Sequence, residues 1–365
     1  MQTREFFVSA PGKVILHGEH SVVHGKVALA VSLNLRTYLR LQSTSSGEVC
    51  INLPNIDTFL SWEITALQPL LAGCKAEQDD LKELDADLLK RLREFTGFSD
   101  DSTDTRSMAV LAFLYMYLTV FAESLASITV SVWSELPTGA GLGSSAAYNV
   151  CLSAALLSAR GTISSSLTPQ QESARWSKEE MELINRWAFM GEKIIHGIPS
   201  GVDNAVGTWG GFLRYHAGNI TPLSWVPILR ILLTNTKVPR STKVLVSGVK
   251  DKINKVVNGS PPPLHVFISG GTLQGPSAEY PLSLDTLCRV TLARGLHSKL
   301  TGAGGGGCGI TLLRPETDNS VIQSTIEELK ACGFDCWETS IGAPGVQQHS
   351  SAALGQDILK ILNSY

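Results

Sequence analysis

The chain reads as a mixed array of strands and helices filling about two domains, and three observations carry that reading. Alternating, β-branched segments and helical apolar stripes both recur along it. Its 365 residues suit two domains at roughly 100–200 residues each. A composition of 43% hydrophobic and 17% charged residues supplies a core and excludes disorder or a coiled coil.

Taken in order, Phe6 to Ser9 and Gly12 to Leu16 read as two strands parted by a glycine turn, followed by strands at Val27 to Val31 and Arg36 to Leu41. Residues 77–95 are charged, with Leu at 81, 84, 88, 89 and 92, and predict a surface helix. Met108 to Ala122 is apolar, broken by Thr119 and stopped by Glu123, and falls short of the ~20 residues that a membrane span needs. It predicts a buried helix. Ile128 to Trp133 is a strand, the glycine-rich PTGAGLGSSAA follows at 137–147, and Tyr148 to Ala159 continues as an apolar helix. Strand, glycine loop and helix N-terminus in that order can build an anion site.

A further helix spans about 178–195, after which Gly197, Pro199 and Gly201 break the chain before Val202-Asp203-Asn204. Strand-like segments at Ile228 to Thr234 and Val244 to Val246 place a domain change near 225, dividing the chain into 1–225 and 226–365. Residues 257–281 are rich in Pro, Gly and Ser and read as loop. Beyond them come a helix at Leu284 to Leu296, glycines at 302–309, a strand to Leu313, a helix at 319–331 and a strand at Asp335 to Ser340.

A net charge of −3 and a pI near 6.3 leave no basic field for nucleic acid or an anionic membrane. Seven cysteines without a second close pair read as reduced thiols, and the first residues carry no secretory apolar stretch, so the expected location is cytoplasmic. The C-terminal Asn363-Ser364-Tyr365 matches no peroxisomal address.

The 33 glycines exceed the usual ~7% and are clustered. Gly302, Gly304 and Gly307 formally satisfy a dinucleotide fingerprint, but a strand follows them where a helix should open. The 137–147 loop lacks the Gly-Lys-Ser/Thr ending of a Walker A loop, and His17, Glu19 and His20 match neither common zinc-protease spacing. What remains is physical: Gly139, Gly141 and Gly143 let backbone N–H groups approach a ligand, and Ser144 and Ser145 open a helix whose N-terminus favours negative charge. A triphosphate fits such a nest.

Three segments, SAPGKVILHGEH at 9–20, PTGAGLGSSAA at 137–147 and KLTGAGGGGCG at 299–309, resemble in order the signature motifs of the GHMP kinases. Within that family they resemble the mevalonate-phosphorylating branch of animal type. The resemblance implies an α+β, two-domain GHMP kinase fold with the active site in the cleft between domains, a homodimer, and Mg2+-dependent transfer of phosphate from ATP to the 5-hydroxyl of mevalonate, in isoprenoid and sterol biosynthesis. It implies Ser145 and Glu192 as magnesium ligands, Asp203 as catalytic base and Lys13 as its partner beside the transferred phosphate. The nucleotide would meet Lys13, Asn55, Ser134, and the loop residues Gly139, Ala140, Gly141, Leu142, Gly143, Ser144 and Ser145. Glu19, His20 and Thr242 would line the substrate pocket.

These residue types suit the chemistry. A primary alcohol is a poor nucleophile, so a carboxylate in reach takes its proton as the phosphoryl group moves. A lysine offsets charge on that group, and a hydroxyl with a carboxylate are hard oxygen ligands for magnesium. Residues 255–283 depart from the family, which carries more helix there, as Pro261-Pro262-Pro263 and Gly270-Gly271 stand in its place. The alternatives are a GHMP kinase for phosphomevalonate, homoserine or galactose, and a catalytically impaired ATP-binding variant with a regulatory role.

Overall fold

The computed structural model describes residues 5–19, 26–72, 83–99, 102–165, 167–168, 170–223, 228–238, 282–301 and 306–364. In chain order its elements are β1 (Glu5–His17), β2 (Ala28–Ser43), β3 (Glu48–Leu53), β4 (Thr58–Glu63), α1 (Ile64–Leu67), α2 (Ala86–Thr96), α3 (Thr105–Val120), β5 (Ile128–Ser134), α4 (Ser144–Arg160), β6 (Ser173–Ala174), α5 (Lys178–His196), α6 (Val202–Trp209), β7 (Phe212–His216) and β8 (Asn219–Pro222). After them come β9 (Leu229–Asn235), α7 (Leu282–Leu292), β10 (His297–Leu300), β11 (Cys308–Leu312), α8 (Asn319–Ala331), β12 (Asp335–Ile341), β13 (Gln347–His349) and α9 (Gln356–Leu362).

The strands join in one sheet whose main path runs β10-β11-β9-β12-β2-β1-β13-β6. Among the described residues every pairing is antiparallel except that of β3 with β5. Helices packed on a largely antiparallel sheet make the fold α+β.

The opening strands differ from the expectation of short strands around a glycine turn. Glu5–His17 is one strand with a register irregularity between Pro11 and Gly12, and Ala28–Ser43 is another. Gly12 makes no turn. A Cβ there would stand 2.5 Å from Leu136 Cδ2 and 2.9 Å from the Leu142 carbonyl, so its role is to let another loop lie on the strand. The charged helix expected at 77–95 begins, within the described residues, only at Ala86, where the Asp85 carboxylate caps the Leu88 N–H. α7 stops at Leu292 and not at Leu296, because Gly295 (φ +71°) turns the chain into β10. The predicted strand at Val244 to Val246 and the loop at 257–281 lie outside the described residues.

The main core gathers around α3 and α4. α3 is apolar on all sides and buried along nearly its whole length, and α4 is buried continuously from Ala146 to Ser158. α5 adds Ile184, Trp187 and Ile194 to that core. A second cluster, with Leu232, Leu287, Val290, Ile322 and Phe334, lies beneath α7 and α8.

After β12 the chain returns to its own beginning. β13 pairs with β1 through Phe7↔His349 and Ser9↔Gln347, and α9 packs Leu362 against Phe7. The buried Arg36 guanidinium donates to the carbonyls of Ser9, Pro344 and Gly345 and to Ser9 Oγ, which also bonds His349 Nε2 at 2.7 Å. Burial first and the Arg36 charge second push the His349 imidazole down to about 4. The unfolded chain therefore binds the extra proton between pH 6.5 and 4. His349 thus contributes stability that is fully present above pH 6.5 and is lost as pH falls toward 4. Urea unfolding of His349→Gln should show a shallower loss of stability across that interval than the native chain, while matching slopes would remove His349 as the source.

Candidate active site

The site forms where β1, the 135–143 loop, α4, α5 and α6 converge. Gly139, Gly141 and Gly143 have φ of +73°, +75° and +74°, left-handed conformations that glycine adopts without strain. Gly143 has a second duty, since a Cβ there would lie 2.8 Å from Lys13 Cγ. The loop thus rests on the aliphatic stem of Lys13, and the Lys13 N–H donates to the Leu142 carbonyl at 2.8 Å.

α4 starts at Ser144 with Gly143 in the capping position and no side-chain cap. Its first internal bond runs from the Ala147 N–H to Gly143 O, so the N–H groups of Ser144, Ser145 and Ala146 precede the helical ladder. N–H groups that precede the helical ladder, at the positive end of a buried helix, make a cradle for phosphate.

α5 begins with a full capping box, the Ser177 side chain accepting from the Glu180 N–H and the Glu180 carboxylate from the Ser177 N–H. Near its other end Glu192 points inward with only 3% of its side chain exposed. Its Oε1 accepts from Asn149 Nδ2 at 2.9 Å, and its Oε2 from Ser145 Oγ at 3.4 Å. The approach is possible because residue 191 is glycine: a Cβ there would stand 2.2 Å from Asn149 Oδ1.

α6 opens at Gly201 (φ +78°) and carries Asp203 in its first turn, a favourable place for a carboxylate. Lys13 Nζ lies 3.2 Å from Asp203 Oδ1. A cleft of about 210 Å³ is lined by Glu192, His196, Pro199, Ser200, Gly201, Asp203 and Asn204. Burial lifts Glu192 to about 7, with Asp203 adding to the rise and Asn149, Ser145 and Lys13 opposing it.

The structure thus brings Lys13, Ser145, Glu192 and Asp203 together around one cleft, beside Gly139 to Ser144. Asn55 and Ser134 also meet. Asn55 Nδ2 donates to Ser134 O at 3.0 Å and Asn55 Oδ1 accepts from the Ser134 N–H at 2.8 Å, which ties the end of β5 just before the glycine loop. Glu19 is paired with Lys299 Nζ, which also donates to Leu300 O at 2.7 Å. His20 and Thr242, and Gly302 to Gly305 of the third motif, lie outside the described residues.

Sequence reasoning missed Asn149, Gly191, His196 and Lys299. Asn149 carried a legible signal, as a polar residue one helical turn after Ser145 inside an apolar run. Gly191 and His196 carried none, because only the packing of α4 on α5 gives them a role.

Models of the GHMP kinases N terminal domain and of the GHMP kinases C terminal match residues 109–211 and 263–331. The chain is 51% identical to mevalonate kinase of Bos taurus and 50% identical to that of Homo sapiens, in each case over the full length of both. The bovine alignment runs over 396 positions, against 365 residues here. Among solved structures, the Methanococcus jannaschii mevalonate kinase has a TM-score of 0.62 at 20% identity, covering 92% of this chain and 98% of that one. The L. major mevalonate kinase in complex with R-mevalonate has a TM-score of 0.60 at 19% identity, covering 92% and 96%. The chain belongs to the GHMP kinase family and, within it, to the mevalonate kinases.

The raised Glu192 carries a stability consequence. A carboxyl whose folded value exceeds its ordinary 4.5 favours folding when protonated, and that contribution is lost as pH rises from about 4.5 through 7. Glu192→Gln keeps the Asn149 bond and removes a buried charge that faces Asp203, Lys13 and His196. It should stabilise the chain at pH 8 by roughly 1–3 kcal/mol and leave it unchanged near pH 4. Thermal melts at the two pH values check this, and equal shifts at both would reject it.

Proposed function

We propose that the chain transfers the γ-phosphoryl group of ATP to the 5-hydroxyl of mevalonate, giving 5-phosphomevalonate and ADP. The observation that carries this reading is the Lys13–Asp203 pair standing at the cleft beside a glycine nest and a helix N-terminus. The Gly139 to Ser145 segment holds the phosphates through backbone N–H groups, with Asn55 and Ser134 on its nucleotide side. Asp203 takes the proton from the hydroxyl as its oxygen attacks phosphorus, and the bond to the ADP oxygen breaks. Lys13 offsets charge on the moving group and orients the Asp203 carboxylate. No phosphorylated enzyme intermediate is needed.

Magnesium fits the donor set. Ser145 Oγ and a Glu192 carboxylate within hydrogen-bond reach are hard oxygens, and the repulsion of Asp203 on Glu192 is what a cation would relieve. Ser145 and Glu192 would hold the ion, whose charge would offset the negative charge of the phosphates. Glu19, His20 and Thr242 belong to the substrate side in this reading, with Lys299 holding the Glu19 carboxylate. The division into units at 1–225 and 226–365 and the cytoplasmic location carry forward the reading of the sequence, and the homodimer that of the family resemblance. Among the described residues no helix is long and apolar enough to cross a membrane.

The test is ADP release by the purified chain with Mg-ATP, offered mevalonate, phosphomevalonate, homoserine and galactose separately. Turnover with mevalonate alone is the expected result; turnover with another acceptor, or ATP binding without turnover on any, would overturn the assignment. Asp203→Asn should lower kcat by about 10²–10⁴ while ATP affinity stays near native. A variant that keeps most of its turnover removes Asp203 from the base role.

A further inference from the structure

The hydroxyl of Ser145 has one proton and, among the described residues, two neighbours within hydrogen-bond range: Glu192 Oε2 at 3.4 Å and His196 Nε2 at 3.0 Å. One proton cannot serve both, and the His196 imidazole can donate to the hydroxyl or accept from it according to its tautomer. His196 holds this place by helix geometry. It follows Glu192 by four residues in the last turn of α5, its Nε2 lies 3.8 Å from Glu192 Oε2, and its half-exposed ring lines the cleft that Glu192 and Asp203 share.

From this arrangement we infer that His196 is a positioning residue for the metal-ligating hydroxyl of Ser145, accepting its proton when Ser145 and Glu192 hold a cation. The inference rests on the assignment of those two side chains as magnesium ligands made above. A hydroxyl that ligates through a lone pair must turn its proton away from the cation. With the Glu192 carboxylate given to the same cation, the acceptor left within reach among the described residues would be His196 Nε2. Outer partners of this kind set the direction of a ligand's lone pair and hence the affinity of the site.

The experiment is Mn2+ binding to the full chain, followed by electron paramagnetic resonance in the presence of a non-hydrolysable ATP analogue. The variants are His196→Leu, His196→Gln, Ser145→Ala and the double Ser145→Ala/His196→Leu. His196→Leu should weaken Mn2+ binding about tenfold, with the affinity for metal-free nucleotide and the thermal midpoint unchanged. Glutamine, whose amide reaches the place of Nε2 and can either donate or accept, should restore binding to within about threefold. In the Ser145→Ala background the leucine change should have no further effect, because the hydroxyl it orients is gone.

Native Mn2+ affinity in His196→Leu overturns the inference. So does an equal loss in the leucine and glutamine variants, which would assign the effect to ring packing, and so does an additive loss in the double variant. Ser145→Ala with native affinity overturns the ligand assignment itself, which separates that failure from the failure of the histidine.

Discussion

Two helices touch at Gly191, and the site depends on that contact. Without a side chain at 191, α5 approaches α4 closely enough for the Asn149 amide to press against its backbone. The next residue, Glu192, then falls between Asn149 and Ser145, almost wholly out of water. α4 is buried on every side through its middle turns and cannot tilt to relieve the crowding. Its first turn is therefore held in one place relative to β1, where the glycine loop lies on the Lys13 stem. One close approach thus sets the hydroxyl, the carboxylate and the anion cradle together.

The cleft is assembled against its own electrostatic preference. Glu192 is desolvated and stands near Asp203, and both terms oppose its charge. The folded scaffold holds the arrangement through apolar packing of α3, α4 and α5, which contributes far more than the buried carboxylate costs. Such strain is the usual mark of a place built for a charged ligand and not for stability alone.

Much of this was legible in the sequence, for physical reasons. The continuous apolar character of 108–122 and 148–159 can be read as buried helix because no solvent-facing stripe interrupts it. The PTGAGLGSS loop announces its chemistry because left-handed backbone and a helix start both leave local signatures. Where reading failed, the cause was tertiary. Gly12 looks like a turn, and only the approach of Leu136 and Leu142 shows that it is a flat crossing point inside a strand. Asp203 looks like a loop residue after Gly197, Pro199 and Gly201, yet it sits in the first turn of a short helix. β3, β4, β7 and β13 are short and were missed, since their pairing partners and not their own pattern make them strands. His196 became visible only when the end of α5 was placed over the start of α4.

The return of β13 and α9 to β1 has a meaning for synthesis. Arg36 is made early, but the Pro344 and Gly345 carbonyls that complete its guanidinium's bonds follow 308 and 309 residues later. Until they do, the cation has only Ser9 to donate to, and one edge of β1 is open. The chain can collapse around its helices early, yet this edge of the sheet closes only when segments more than three hundred residues apart have met, a late step during which the edge is open to wrong pairing.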